Sequence, residues 1–243
     1  MTEFQQENKK SRRGRPRKSE GDRAHREESI LSSALELFRE QGYQKTAMTQ
    51  IARKAGIDQS SLYYHFPSKA ALLNRLYDFK RVQGEFERIS QLDIAPDLKL
   101  YVLMAYDLVA KCDLPFDFFE FEGVATNNPS DFEELFRAYR EIYSDLVDAF
   151  EEGAKLGVFL DIDPEQEAVT ALSMNEGFQH HYHAKLRGEL ILESAGYSAQ
   201  NLSPEQIGHM SASSVLSKIC IERPNLEDMH EQAVELLTQI RES

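Results

Sequence analysis

Seven consecutive residues, Gln59-Ser60-Ser61-Leu62-Tyr63-Tyr64-His65, carry six side chains able to donate or accept hydrogen bonds around one apolar anchor, Leu62. Phe66 adds a second anchor immediately after them. On a short helix this pattern turns the apolar groups inward and leaves a polar or amphipathic face outward. Such a face suits the major groove of B-DNA, about 12 Å wide, where each base pair presents its own pattern of donors and acceptors. Two other clusters invite chemistry. Ser11-Arg12-Arg13-Gly14-Arg15-Pro16-Arg17-Lys18 concentrates positive charge in a segment without apolar periodicity. Within Phe178-Gln179-His180-His181-Tyr182-His183, the side chains of His180 and His183 share a helix face, with Glu176 one turn before. Neutral imidazoles at that spacing can ligate zinc. No third clear ligand joins them, so a polar or partly buried helix face is the preferred reading and no metal is expected.

The outward face needs elements to hold it. Ile51, Ala52 and Ala55 give the preceding segment an apolar face at helical spacing, and Gly56 follows directly. Glycine takes the left-handed backbone that a helix stop requires. Ile57 turns back toward the core, and Asp58 is placed to accept hydrogen bonds from the free amides of the next helix. Pro67 ends that helix, Ser68 can cap another, and Lys69 opens it. Helix, glycine turn and short polar-faced helix make the helix-turn-helix pattern. An ordinary helical hairpin inside an all-α core has the same pattern, and periodicity alone leaves both open.

The run Ile51-Ala52, Ala55-Gly56-Ile57, Leu62-Tyr63-Tyr64-His65-Phe66-Pro67-Ser68-Lys69 and Leu72-Leu73 resembles the TetR family of bacterial transcriptional regulators over about residues 30–76. One departure is visible. Members usually carry threonine where Ala47 stands, and Thr46 and Thr49 flank that position, so the cap of the first short helix is expected to shift by one residue. The resemblance implies residue roles. Gln59, Ser60, Ser61 and Tyr64 would face the bases, and Thr46, Thr49, Tyr63, His65 and Lys69 would lie nearer the phosphates. Phosphate contacts position such a helix and base contacts specify the sequence. The resemblance also implies a small-molecule pocket in the rest of the chain. It further implies a homodimer built on two helices per subunit, for which 164–195 and 204–222 are the candidates. The second of these carries the small residues Ser211-Ala212-Ser213-Ser214.

The 243 residues carry a formal net charge of −13, unevenly spread. Residues 1–81 hold 17 Lys and Arg against 10 Asp and Glu, and residues 82–243 hold 11 against 31. A basic head on an acidic body fits a nucleic-acid-binding domain joined to something that stays off nucleic acid. Residues 1–22 read as a disordered basic arm, 23–81 as the helix-turn-helix domain and 82–243 as an all-helical effector-binding and dimerisation domain. In the arm, Arg13-Gly14-Arg15-Pro16 resembles the core of an AT-hook, with Arg12, Arg13, Arg15 and Arg17 as candidate minor-groove contacts. A generic basic tail is the alternative.

The expected fold class is all-α. The first helix covers about 23–41 and ends at Gly42. A long helix over about 69–90 is expected to join head to body as one rigid rod. Body helices are expected at 97–111, 114–126, 130–156, 164–195, 204–222 and 225–241, several of them starting at a proline. Tyr101, Met104, Phe116, Phe119, Tyr139, Tyr143, Met174 and Phe178 are candidates to line an apolar cavity between these helices, with plain core packing as the alternative. No run of about 18 apolar residues and no apolar leader appear, so neither a membrane span nor a secretory signal is read. Two widely separated cysteines, Cys112 and Cys220, fit reduced thiols in the cytoplasm. No phosphate loop, nucleophile elbow or cysteine cluster points to an enzyme, and no cofactor is expected. The expectation is a DNA-binding regulator, a repressor released from a palindromic double-stranded operator by a small-molecule effector. The runner-up is a ligand- or metal-sensing helical scaffold whose basic head binds another partner.

Overall fold

The computed structural model describes residues 20–196 and 201–242. Twelve α-helices and one 3₁₀ turn make up these residues, and the only extended pairing among them is a single antiparallel bridge between Phe159 and Cys220. The head comprises α1 (Glu20–Lys45), α2 (Met48–Lys54), α3 (Gln59–His65) and α4 (Lys69–Leu76). The body comprises α5 (Phe79–Ser90), α6 (Pro96–Cys112), α7 (Phe118–Asn127), the 3₁₀ turn Pro129–Asp131, α8 (Glu133–Lys155), α9 (Pro164–Arg187), α10 (Ile191–Ser194), α11 (Pro204–Ile219) and α12 (Leu226–Glu242). No helix among the described residues is long and apolar enough to cross a membrane.

Helix α1 starts at Glu20, inside the segment expected to be a disordered arm, and its helical backbone breaks at Gly42 (φ 81°, ψ 161°). That conformation is open essentially to glycine alone. The arm arginines lie outside the described residues. The rigid rod expected over 69–90 is instead two helices. Tyr77 leaves helical geometry (φ −122°, ψ 120°), and the Asp78 side chain accepts a hydrogen bond from the Arg81 amide to start α5 afresh. An apolar face continuous through 72, 76, 79 and 86 does not reveal such a break, because Asp78 sits on the polar side. Likewise the helix expected to reach residue 195 stops at Arg187, where Gly188 takes a left-handed cap (φ 68°). Helix α7 begins at Phe118 rather than 114, because Asp117 caps it through the Phe119 amide.

Two cores form. The body core gathers Phe86, Ile89, Leu100, Tyr101, Met104 and Phe150 from α5, α6 and α8 with residues of α9, α11 and α12. The head core is not self-contained. Ile30, Phe38, Tyr43, Ile51, Leu62 and Leu72 pack with Phe116, Phe118 and Phe121 around the start of α7 and with Phe132 and Leu135 beyond it. Tyr43 meets Phe121 edge to face at 5.2 Å, and Gln44 Nε2 donates to the Glu120 carbonyl at 2.6 Å. The end of α1 is therefore seated on α7.

Candidate nucleic-acid interface

Helix α3 is held by its own cap. Asp58 accepts the Ser61 amide at 2.8 Å, the Ser60 hydroxyl at 2.5 Å and the Ser61 hydroxyl at 2.9 Å. These three hydrogen bonds favour the carboxylate and hold its pKa well below the usual range. Gly56 (φ 67°) makes the turn into the cap, and the Ile57 amide returns to the Ala52 carbonyl at 3.0 Å. Leu62 is fully buried, so the opposite face of α3 is presented outward. Gln59 and Ser60 are exposed there, with Tyr63 at 45% and Tyr64 at 75% exposure. Ser61 is half-buried at the edge, and Thr49 is exposed on neighbouring α2.

The other expected contacts turn inward. Thr46 is only 2% exposed, and its hydroxyl donates to the Gly42 carbonyl at 2.8 Å. The N-cap of α2 stays at Ala47, which has no side chain to cap with. Gln50 substitutes in part: its Oε1 accepts the Ala47 amide at 2.7 Å and Gln41 Nε2 at 3.1 Å. The cap does not shift to a threonine because Thr46 is fastened under the end of α1. His65 Nδ1 lies 3.2 Å from Glu27 Oε1, which also accepts from Arg23 Nε at 3.0 Å, tying α3 to α1. Lys69 Nζ donates to the carbonyls of Tyr43 (2.6 Å), Thr46 (2.8 Å) and Gln44 (3.4 Å), and sits over the Tyr43 ring. An ammonium has three hydrogens, and all three are directed at the end of α1.

The aromatic candidates in the body do not converge on one cavity. Phe116 belongs to the head core, and Phe119 is exposed against His180. Tyr101 and Met104 are fully buried, while Tyr143 and Met174 pack at the margin of the body core. Tyr139 stacks on Phe118 and donates to Glu176 Oε1 at 2.7 Å. Phe178 lines an open, mainly apolar groove of about 570 Å³ with Leu186, Leu190, Leu192, Ile207 and Met210. The histidine cluster also disperses. His180 Nδ1 is 2.5 Å from Asp117 Oδ2, whereas His183 is buried with no partner on Nε2 and its pKa is lowered to about 4 by burial.

Sequence reading passed over a polar network inside the body. Lys111 Nζ donates to Asp107 Oδ2 at 2.8 Å, and Asn175 Nδ2 donates to the same oxygen at 2.8 Å and to the Met104 carbonyl. Ser211 donates to Asn175 Oδ1, and Gln179 ties the Lys111 and Phe116 carbonyls to the Phe118 amide. Two charges four residues apart within the apolar stretch after Lys99, Asp107 and Lys111, were the signal available.

A capped, outward-facing short helix set against a second helix across a glycine turn, on an all-helical body, defines the class of helix-turn-helix proteins. Residues 30–76 match the model for bacterial regulatory proteins of the tetR family. The transcriptional regulator SrpR of Pseudomonas putida is 33% identical over 82 residues, which are 34% of this chain and 36% of that protein. The chain spans 22–57% of the length of three curated relatives that it matches, so this likeness is confined largely to the head. Two solved structures share the fold over most of the chain. Mycobacterium smegmatis AmtR has a TM-score of 0.61 at 19% identity, covering 92% of this chain and 97% of that one. AibR, solved with isovaleryl coenzyme A and operator DNA, has a TM-score of 0.55 at 18% identity, covering 78% and 97%. Residues 30–76 are thus a DNA-binding domain of the tetR-family type.

Proposed function

We propose that the protein is a cytoplasmic, homodimeric transcriptional repressor that binds a palindromic operator and is released by a small-molecule effector; it is not an enzyme. The observation that carries this reading is the face of α3. Two tyrosines, three polar side chains and no core contacts beyond its anchor project from a helix whose other side is locked. Two such helices, one per subunit, would enter successive major grooves about 34–36 Å apart. Gln59, Ser60, Ser61 and Tyr64 are proposed to read bases, with Thr49 and Tyr63 beside the phosphates. Thr46, His65 and Lys69 support this face by positioning it. Arg12, Arg13, Arg15 and Arg17 are proposed to reach the adjoining minor groove.

The dimer seam is proposed on α9 and α11, where Val169, Leu186 and Met210 are exposed and Ser213 Oγ is buried without a partner. The effector is proposed to act through α7, because that helix carries the rings under Tyr43 and the carbonyl that holds Gln44. An effector that binds one placement of α7 better than another would shift the heads by that difference in affinity. A mobility-shift assay on DNA upstream of the protein's own gene tests the reading. Tyr64→Ala is expected to weaken specific binding by about 1–3 kcal/mol and to leave binding to random DNA nearly intact. Equal losses on both DNAs would remove the base-reading role.

A further inference from the structure

Three helices distant in sequence bring donor atoms to one point at the edge of the body. Tyr101 Oη, on α6, lies 2.6 Å from His209 Nδ1 on α11 and 3.0 Å from His230 Nδ1 on α12. The imidazole rings face each other with centroids 4.9 Å apart at 62°. Tyr101 is fully buried, whereas both histidines are half-buried, so the rings stand between the phenol and solvent. A phenol has one hydrogen and can donate to only one ring nitrogen. The other Nδ1 must carry its own proton and donate to the phenol oxygen, so the two histidines hold opposite tautomers.

We propose that Tyr101 Oη, His209 Nδ1 and His230 Nδ1 form a site for a divalent transition-metal ion of the zinc or copper class. Imidazole nitrogens suit these ions, and a phenolate supplies the anionic donor. At bond lengths of about 2.0–2.1 Å, tetrahedral donors stand about 3.4 Å apart, so each imidazole nitrogen needs to draw back from the phenol oxygen by less than ~1 Å to admit the ion. Among the described residues no three His, Cys, Asp or Glu side chains form such a group. Here the third donor is a phenol. Binding is balanced in protons. The phenol loses its hydrogen to solvent, the Nδ1-protonated histidine moves its proton to Nε2, and one proton leaves per ion bound. The ion would pin α12 to α6 and α11.

Titration calorimetry of the full, untagged chain with zinc sulfate, in two buffers of different ionisation enthalpy, tests the site. One ion per chain and about one proton released per ion are expected. His209→Ala and His230→Ala should each weaken binding at least tenfold. Tyr101→Phe keeps the ring in the core and should remove the proton release; loaded with copper(II), it should also lack the visible phenolate-to-copper absorption of the parent. Absence of zinc binding would overturn the proposal, leaving a hydrogen-bonded triad only. So would zinc binding that both histidine variants retain, or wild-type binding without proton release.

Discussion

In the head, Asp58, Ser68 and Lys69 satisfy backbone groups 3 to 26 residues away, whereas in the body Asn175 and Gln179 reach 61 to 71 residues back along the chain. The head bonds are made by side chains at helix starts: Asp58 and Ser68 to amides three residues on, and Lys69 to carbonyls 23 to 26 residues back. The body bonds run between helices, and two of their members, Asp107 and Lys111, are buried charges. Local caps leave the outward face of α3 clear for another molecule. Buried long-range bonds instead fix how α6, α7 and α9 sit together, and α7 is the helix on which the end of α1 rests. One region is built to present a surface and the other to hold a relative placement.

The contrast is broken most severely by Asp107→Ala. Lys111 is 8% exposed at its side chain and would keep only Glu176, at 3.9 Å, as a charged neighbour. Removing one partner of a buried pair leaves an uncompensated charge and costs about 3–5 kcal/mol. Urea unfolding should show that loss, and replacing both residues by apolar ones of similar size should recover most of it. A loss under about 1 kcal/mol would mean that the network does not hold the body together.

Acid should separate the two regions next. Burial lowers the His183 pKa from 6.5 to about 4, so the folded state resists a proton that the unfolded chain accepts. This group costs nothing at pH 7, destabilises progressively as pH falls below 6.5, and levels off below about 4. By pH 5 the cost is about 2 kcal/mol. Asp58 in the head acts in the same direction but at lower pH. Its depressed pKa gives stability that is present above the ordinary carboxylate range and is lost only well below it. Asp145, pushed up to about 6 by burial and by Asp148, gains on acidification, so the quantity to read is the difference between parent and His183→Leu. The urea midpoint of the variant should fall less between pH 7 and pH 5. Equal falls would show that His183 titrates freely.

The same contrast explains what could be read from the chain. Ala55-Gly56-Ile57-Asp58 and Pro67-Ser68 announce stops and caps within four residues of the groups they serve, so α2, α3 and the start of α4 were legible. The body's helices were legible through their prolines, with errors where a short cap such as Asp78 or Asp117 intervened. The aromatic candidates were chosen by type, and type does not say which core a ring joins. Phe116 went to the head and Phe119 to the surface because Asp117 starts α7 between them. Nothing local marks Tyr101, His209 and His230 as neighbours, since their meeting depends on how three helices pack. Lys69 was legible as a member of the motif, yet its inward direction was not, because its acceptors lie 23 to 26 residues away.

Lys69 gives the smallest effect and the sharpest division between presenting and holding. A lysine beside a DNA-facing helix is readily taken for a phosphate contact, and each phosphate neutralised adds about 0.9 to the slope of log affinity against log salt. Its ammonium, however, closes the last turn of α1 through the carbonyls of Tyr43, Gln44 and Thr46, and burial lowers its pKa. Lys69→Met should therefore cost about 1–2 kcal/mol of stability, as expected for lost hydrogen bonds from a charged donor, and leave the salt slope unchanged at temperatures where the variant is folded. Deleting residues 1–19 should do the reverse. That segment holds Arg12, Arg13, Arg15, Arg17 and Lys18, and its loss should flatten the slope by roughly 2–4 without moving the unfolding midpoint. A slope that drops by about one unit in Lys69→Met would show that the ammonium leaves α1 for a phosphate when DNA binds, and that α1's final turn opens on the operator.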